Sequence, residues 1–179
     1  MGSERLTIRV ALAVLLAFAL AGCRGGASEP ADPSTGDAAT VAWVNDGDTL
    51  TLTGGAKVRL VQIDAPELQS DCYGRAALRS LIDLAPKGTH VTLVADPELD
   101  ERDVHGRLLR YVYHDGVNVN VELVRRGAAS PYYFRKERGS FAGELDDAVE
   151  DARDRRAGYW GACPGAELDT LRGSITGPA

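Results

Sequence analysis

The hydrophobic period of this chain switches from strand-like to helical, returns to strand-like, and then stays helical, an order that bounds the fold class. Residues 40–44 (TVAWV), 49–53 (TLTLT) and 57–63 (KVRLVQI) alternate or run β-branched, with Asp46-Gly47 and Gly54-Gly55 between them, which predicts a three-stranded meander. Asp46-Gly47 has the composition of a type I′ hairpin turn, whose two central residues both take φ > 0. Within residues 74–84, Ala77, Leu78, Leu81 and Ile82 recur at helical spacing until Pro86 and Gly88 stop the segment. Residues 90–95 (HVTLVA) and 107–114 (RLLRYVYH) predict two further strands, separated by a polar loop with Asp103, His105 and Gly106. Residues 119–127 read as a short helix ended by Gly127. Phe141, Leu145, Ala148, Val149 and Ala152 mark an amphipathic helix with acids early and arginines late, favourable to its dipole.

Five short strands with a helix between the third and fourth, and two helices after them, suit an α+β fold that is mainly β, a five-stranded Greek-key barrel of the OB type with three flanking helices, which is one topology among several that the pattern allows. A chain of 179 residues fits one such domain, expected over residues 38–163, with extra segments at its ends. At the N-terminus, Arg5 and Arg9 are followed by an apolar run over residues 10–21, shorter than the roughly 20 residues a membrane span requires. Residues 1–22 therefore read as an export signal. It ends in Leu20-Ala21-Gly22-Cys23, which resembles the lipobox of bacterial lipoproteins, where the cysteine is lipidated. The alternative is an ordinary cleaved secretory peptide. The expected location is extracytoplasmic, on the membrane through a lipid on Cys23, or secreted if Cys23 carries none. Residues 23–37 read as a flexible tether with a reach of roughly 20 Å, and residues 164–179 as a C-terminal tail of similarly weak pattern. Export permits disulfides, and with Cys23 set aside Cys72 and Cys163 form a natural pair; two free thiols are the alternative.

Charge adds a constraint. The net charge of −6 argues against a nonspecific nucleic-acid binder that works through a basic surface, so local arrangement must decide. Asp48 follows Asp46-Gly47, although a turn needs no second acid there; Asp115-Gly116 stands at another turn without one. Asp64 and Glu67 lie in IDAPE, just after the third strand. Paired carboxylates with a nearby carbonyl and waters make the hard-oxygen set that suits Ca²⁺. Arg59 interrupts an otherwise aliphatic strand, and Arg107 opens another after Gly106; guanidinium forks match phosphate oxygens. Taken singly, each acid decorates a turn and each arginine is a solvated strand residue. Taken together, they outline a phosphate and metal site. The EF-hand pattern is absent, since Leu50 falls where a ligand belongs. The histidines and cysteines show no zinc spacing, and neither a G-x-S-x-G elbow nor a Gly-rich phosphate cradle occurs.

NDGDT, VRLVQIDAPE, DVHGRLLRYVY and VNVELVRRGAA resemble, in order and register, the motifs of the staphylococcal nuclease (thermonuclease) family, over residues 40–160. The resemblance implies an OB barrel with three helices and Ca²⁺-dependent hydrolysis of phosphodiesters in single-stranded DNA and RNA to 3′-phosphate products by a monomer. It implies that Asp48, Asp64 and the Ala65 backbone carbonyl bind calcium, and that Arg59, Glu67 and Arg107 are catalytic, with Glu67 as general base. Val104-His105 replaces the family's lysine-tyrosine pair, and the later tyrosine pair is represented by Tyr133 and Arg135, with Tyr132 as a further candidate. His105, Tyr132, Tyr133 and Arg135 are thus the expected substrate contacts. A noncatalytic OB module that binds nucleic acid or protein is the rival expectation.

Overall fold

The computed structural model describes residues 32–178; the expected export signal, Cys23 and the expected tether up to residue 31 lie outside them. Strands β1 (Asp37–Val44), β2 (Thr49–Leu52) and β3 (Lys57–Leu60) form the expected antiparallel meander. A two-residue strand β4 (Ile63–Asp64) and helix α1 (Gly74–Leu84) follow. Next come β5 (His90–Val94), β6 (Leu108–His114), the short β7 (Val117–Asn118) and α2 (Val119–Arg125). Strand β8 (Ser130–Pro131), α3 (Ala142–Asp154) and the single turn α4 (Tyr159–Ala162) complete the domain. Beyond them, β9 (Glu167–Asp169) and β10 (Gly173–Ile175) pair as an antiparallel hairpin. The segment read as a weak tail therefore carries structure, and so do residues 33–37 of the expected tether, which hold a 3₁₀ turn and the start of β1.

The strands order as β3-β2-β1-β5-β6-β7, and a parallel pairing of β3 with β6 closes the first five into a barrel. Closure removes the open edges that a five-stranded sheet would otherwise expose. The result is the α+β, five-stranded OB-type barrel with three main helices that the pattern suits. Val41, Leu50, Val58, Leu60, Val91 and Val112 fill its interior. The fully buried Asn120 of α2 fastens the seam. Its Oδ1 accepts from the Val112 amide at 3.0 Å, while its Nδ2 donates to the carbonyls of Val61 at 2.9 Å and Arg110 at 3.3 Å. The N-terminus of α2 is capped by the Asn118 side chain, which accepts from the amides of Asn120 and Val121.

Two local expectations change. Gly47 has no positive φ, so Asp46-Gly47 is not a type I′ turn; Asp115-Gly116, at φ 48° and 78°, does have both residues left-handed. Glycine is required at 47 for space, because a Cβ there would stand 2.6 Å from the Ala65 Cβ and 2.9 Å from the Ala77 Cβ. That close approach seats the loop before β2 against α1 and the strand exit at Ala65. On α1, Ala77 and Leu81 are buried as expected, whereas Ile82 is 40% exposed because it lies past the edge of the inward stripe.

Candidate active site

The loop between β1 and β2 presents Asp48 into the protein. Asp46 accepts from the Asp48 amide through Oδ1 at 3.1 Å, so the first acid folds the loop and the second is free to point inward. The Asp48 carboxylate is buried. Its Oδ2 accepts from the Ala65 amide at 2.9 Å and its Oδ1 from the Thr49 hydroxyl at 3.0 Å. Burial pushes the Asp48 carboxyl up to about 6, even though the neighbouring Arg59 charge pulls it down.

Arg59 is not a solvated strand residue. One guanidinium nitrogen donates to the carbonyls of Leu60 at 2.9 Å and Ile63 at 2.7 Å. The other lies 2.8 Å from Asp64 Oδ1 and 3.1 Å from Asp48 Oδ2, bridging both carboxylates. Asp64 is brought there by β4, which pairs with β8. Arg107 stands immediately before β6. Its Nε donates to Asp103 Oδ2 at 2.6 Å, and a terminal nitrogen donates to the Thr49 hydroxyl at 3.3 Å. A continuous chain of contacts thus runs from Asp103 through Arg107, Thr49, Asp48 and Arg59 to Asp64. Burial alone would raise the Asp103 carboxyl. Hydrogen bonds from the Arg107 side chain and amide, the Arg107 charge and the His105 amide outweigh it and hold the group below its ordinary 3.8.

Arg59 and Arg107 both line a cavity of about 330 Å³, together with His105, Tyr132, Phe134 and Arg135 among others. Arginines and aromatic rings in one lining, with Arg135 stacked over Phe134 at 4.9 Å, suit a nucleotide-sized anion with a flat base, although Asp100, Asp103 and Glu137 line the cavity too. Of the expected substrate contacts, His105, Tyr132 and Arg135 face this space. Tyr133 does not. It is 3% exposed, its hydroxyl donating to the Ala142 carbonyl at 3.0 Å and lying 2.7 Å from Asp146 Oδ1. Tyr132 and Tyr133, between β8 and a 3₁₀ turn at Phe134–Lys136, point opposite ways, so one tyrosine reaches the cavity and the next packs into the core. Glu67 is exposed on the loop after β4, its amide donating to Asp71 Oδ2 at 3.0 Å, and it is not among the residues that line the cavity. The fold therefore gathers Asp48, Arg59, Asp64 and Arg107, and leaves Glu67 on an adjoining loop.

Among the described residues, no group of three or more His, Cys, Asp or Glu side chains stands close enough to share a metal ion. Two buried or half-buried carboxylates that both close on one guanidinium nitrogen do make a cation seat. Ca²⁺ takes six to eight oxygens, so this pair fits it as part of a set completed by backbone oxygen, water and substrate. Ala65, expected to offer its carbonyl, already meets Asp48 through its amide. Sequence reasoning missed Thr49 and Asp103, although both lie within or beside the motifs; Asp103 pairs locally with Arg107, and Thr49 meets Arg107 only because β3 stands between β2 and β6 in the closed barrel. It also missed Ser174, whose amide and hydroxyl donate to Asp64 Oδ2 at 2.9 and 3.0 Å. The expected disulfide is present: Cys72 and Cys163 are joined, their Cα atoms 6.0 Å apart.

The chain is similar in sequence to known proteins. A family described as staphylococcal nuclease homologue matches residues 57–162. An uncharacterized endonuclease of Escherichia coli is 39% identical over 127 residues, which cover 67% of this chain and 74% of that protein. An uncharacterized endonuclease of Haemophilus influenzae is 36% identical over 124 residues, covering 67% and 64%. Endonuclease YncB of Bacillus subtilis is 30% identical over 123 residues, covering 64% and 57%.

Proposed function

Because this chain belongs to the staphylococcal nuclease family, we propose that it is a Ca²⁺-dependent nuclease that hydrolyses phosphodiester bonds of single-stranded DNA and RNA outside the cytoplasm. The observation that carries this reading is the Arg59 guanidinium held between Asp48 and Asp64 at the wall of a cavity that Arg107 also lines. A phosphodiester resists attack because its negative charge repels a nucleophile. Catalysis must neutralise that charge, place a water behind phosphorus and take its proton.

Asp48, Asp64 and the Ala65 carbonyl would hold calcium, which when bound supplies positive charge beside the scissile phosphate. Arg107, fixed by Asp103 and Thr49, binds a phosphate oxygen. Arg59 binds another once its hold on the carboxylates is relaxed, and each preorganised donor of this kind is worth roughly 100- to 1000-fold in rate. Glu67, three residues after Asp64, accepts the proton of the attacking water as its oxygen bonds phosphorus and the P–O5′ bond breaks; the 5′-oxygen leaves, takes a proton from solvent and becomes a 5′-hydroxyl, and the other product is a 3′-phosphate. His105 and Arg135 offer further positive contacts along the backbone, and Tyr132 offers a face for a base. The acidic whole surface is no obstacle, since a few local cations grip one phosphate. Lipidation of Cys23 would keep the monomer on the outer face of a membrane.

The purified protein is expected to shorten single-stranded DNA in calcium and to stop when the ion is chelated. Glu67→Gln should lower kcat by at least about 100-fold with little change in DNA binding. DNA that binds but stays intact in calcium would replace this reading with the noncatalytic module, and full activity in Glu67→Gln would remove that residue from the mechanism.

A further inference from the structure

The β9–β10 hairpin lies beyond the residues that match the family, yet it reaches the carboxylate expected to hold the metal. An ionised carboxylate oxygen has two lone-pair positions. At Asp64 Oδ2 the Ser174 amide and the Ser174 hydroxyl fill both, while Oδ1 faces the Arg59 guanidinium and, across it, Asp48. The two oxygens are thereby given different work. Oδ2 is tied to the hairpin, and Oδ1 alone is turned to the cation seat.

The neighbouring residue confirms a close fit. Gly173 takes φ 86°, and a Cβ there would collide with the Asp64 carboxylate, so the hairpin backbone lies directly against that group. The hairpin does not reach this place by chance of an isolated contact. The Tyr133 amide donates to the Thr170 carbonyl at 2.7 Å and the Cys72 amide to the Gly177 carbonyl at 3.0 Å. Asp71, which accepts from the Glu67 amide, forms a bridge with Pro178. The disulfide at Cys163 fastens the chain just before the hairpin begins.

We infer that Ser174 is a positioning residue that locks the Asp64 carboxylate so that it offers only Oδ1 to the metal, which makes the C-terminal hairpin a working part of the site. This inference rests on the metal role proposed above for Asp64. Partners that orient a metal ligand typically contribute 10- to 100-fold in metal affinity or activity.

The test is calorimetric titration of calcium into the purified protein, alongside cleavage assays at varied calcium. Ser174→Ala should weaken calcium binding by about tenfold or more, shift the calcium needed for half-maximal cleavage by the same factor, and leave the DNA KM at saturating calcium unchanged. Ser174→Thr keeps both donors and should restore binding to within about threefold. Leu171→Ala, an exposed change elsewhere in the same hairpin, should match wild type, and circular dichroism melting shows whether each variant is folded. Calcium affinity within twofold of wild type in a folded Ser174→Ala overturns the inference and leaves the nuclease reading intact. A wild-type protein that binds calcium but cuts nothing sinks the nuclease reading, and the affinity comparison still decides the role of Ser174. A wild type that binds no calcium overturns both.

Discussion

At the scale of single residues, the site is a relay in which each charged group is held by the next. Asp103 stands at one end, and its value lies in where it puts Arg107. Replacing it with asparagine keeps the shape but removes the negative charge that faces the Arg107 guanidinium, so Asp103→Asn should lower kcat by roughly 10- to 100-fold, the cost of a small misplacement. The same substitution gives a pH signature. The folded protein holds the Asp103 carboxyl below 3.8, so its stabilising effect is present above that value and is lost as pH falls through the depressed one. Denaturant titrations should therefore find wild type more stable than Asp103→Asn at neutral pH, with the difference shrinking toward zero below pH 3.8; a constant difference would assign the effect to something other than this charge. Asp48, Arg59 and Asp64 were legible in the sequence because their surplus over turn and strand requirements is local. Asp103 and Thr49 were not, since their meaning depends on Arg107, which reaches Thr49 only across β3 once the barrel closes. Tyr133 misled because adjacent tyrosines look equivalent until the backbone assigns one to the cavity and the other to the core.

At the scale of elements, alternation and turn residues located all five barrel strands, and the apolar spacing located α1, α2 and α3 closely. What periodicity could not reveal was the closure, because the β3–β6 pairing joins segments far apart in the chain. The seam depends on a polar side chain that no amphipathic pattern singles out. Asn120 satisfies one buried amide and two buried carbonyls there. Asn120→Ala should destabilise the protein by about 2–4 kcal/mol, since it leaves buried groups without partners; urea unfolding measures this, and a loss under about 1 kcal/mol would mean that the seam holds without it. The C-terminal hairpin was equally hidden, as its strands are short and polar and their anchors lie at Asp64, Cys72 and Tyr133 rather than nearby.

At the scale of the whole molecule, the disulfide joins the lead into α1 to the end of α4, across 91 residues of separation. In the chain-entropy account such a closure is worth about 4 to 5 kcal/mol. The paired change of Cys72→Ser with Cys163→Ser should thus lower unfolding free energy by roughly 2–5 kcal/mol, read from denaturant midpoints against wild type without reductant; no change would mean that the crosslink adds nothing to the folded balance. The same bond has a further effect whenever a protease cuts the chain. The stretch it spans contains β5, β6, α2 and α3, and it also contains the exposed loop at Val104. One cut in that loop yields two pieces that remain a single covalent object, each still within reach of its old neighbours. A nicked enzyme of this design need not drift apart, and its damage would be visible only on a gel run with reductant.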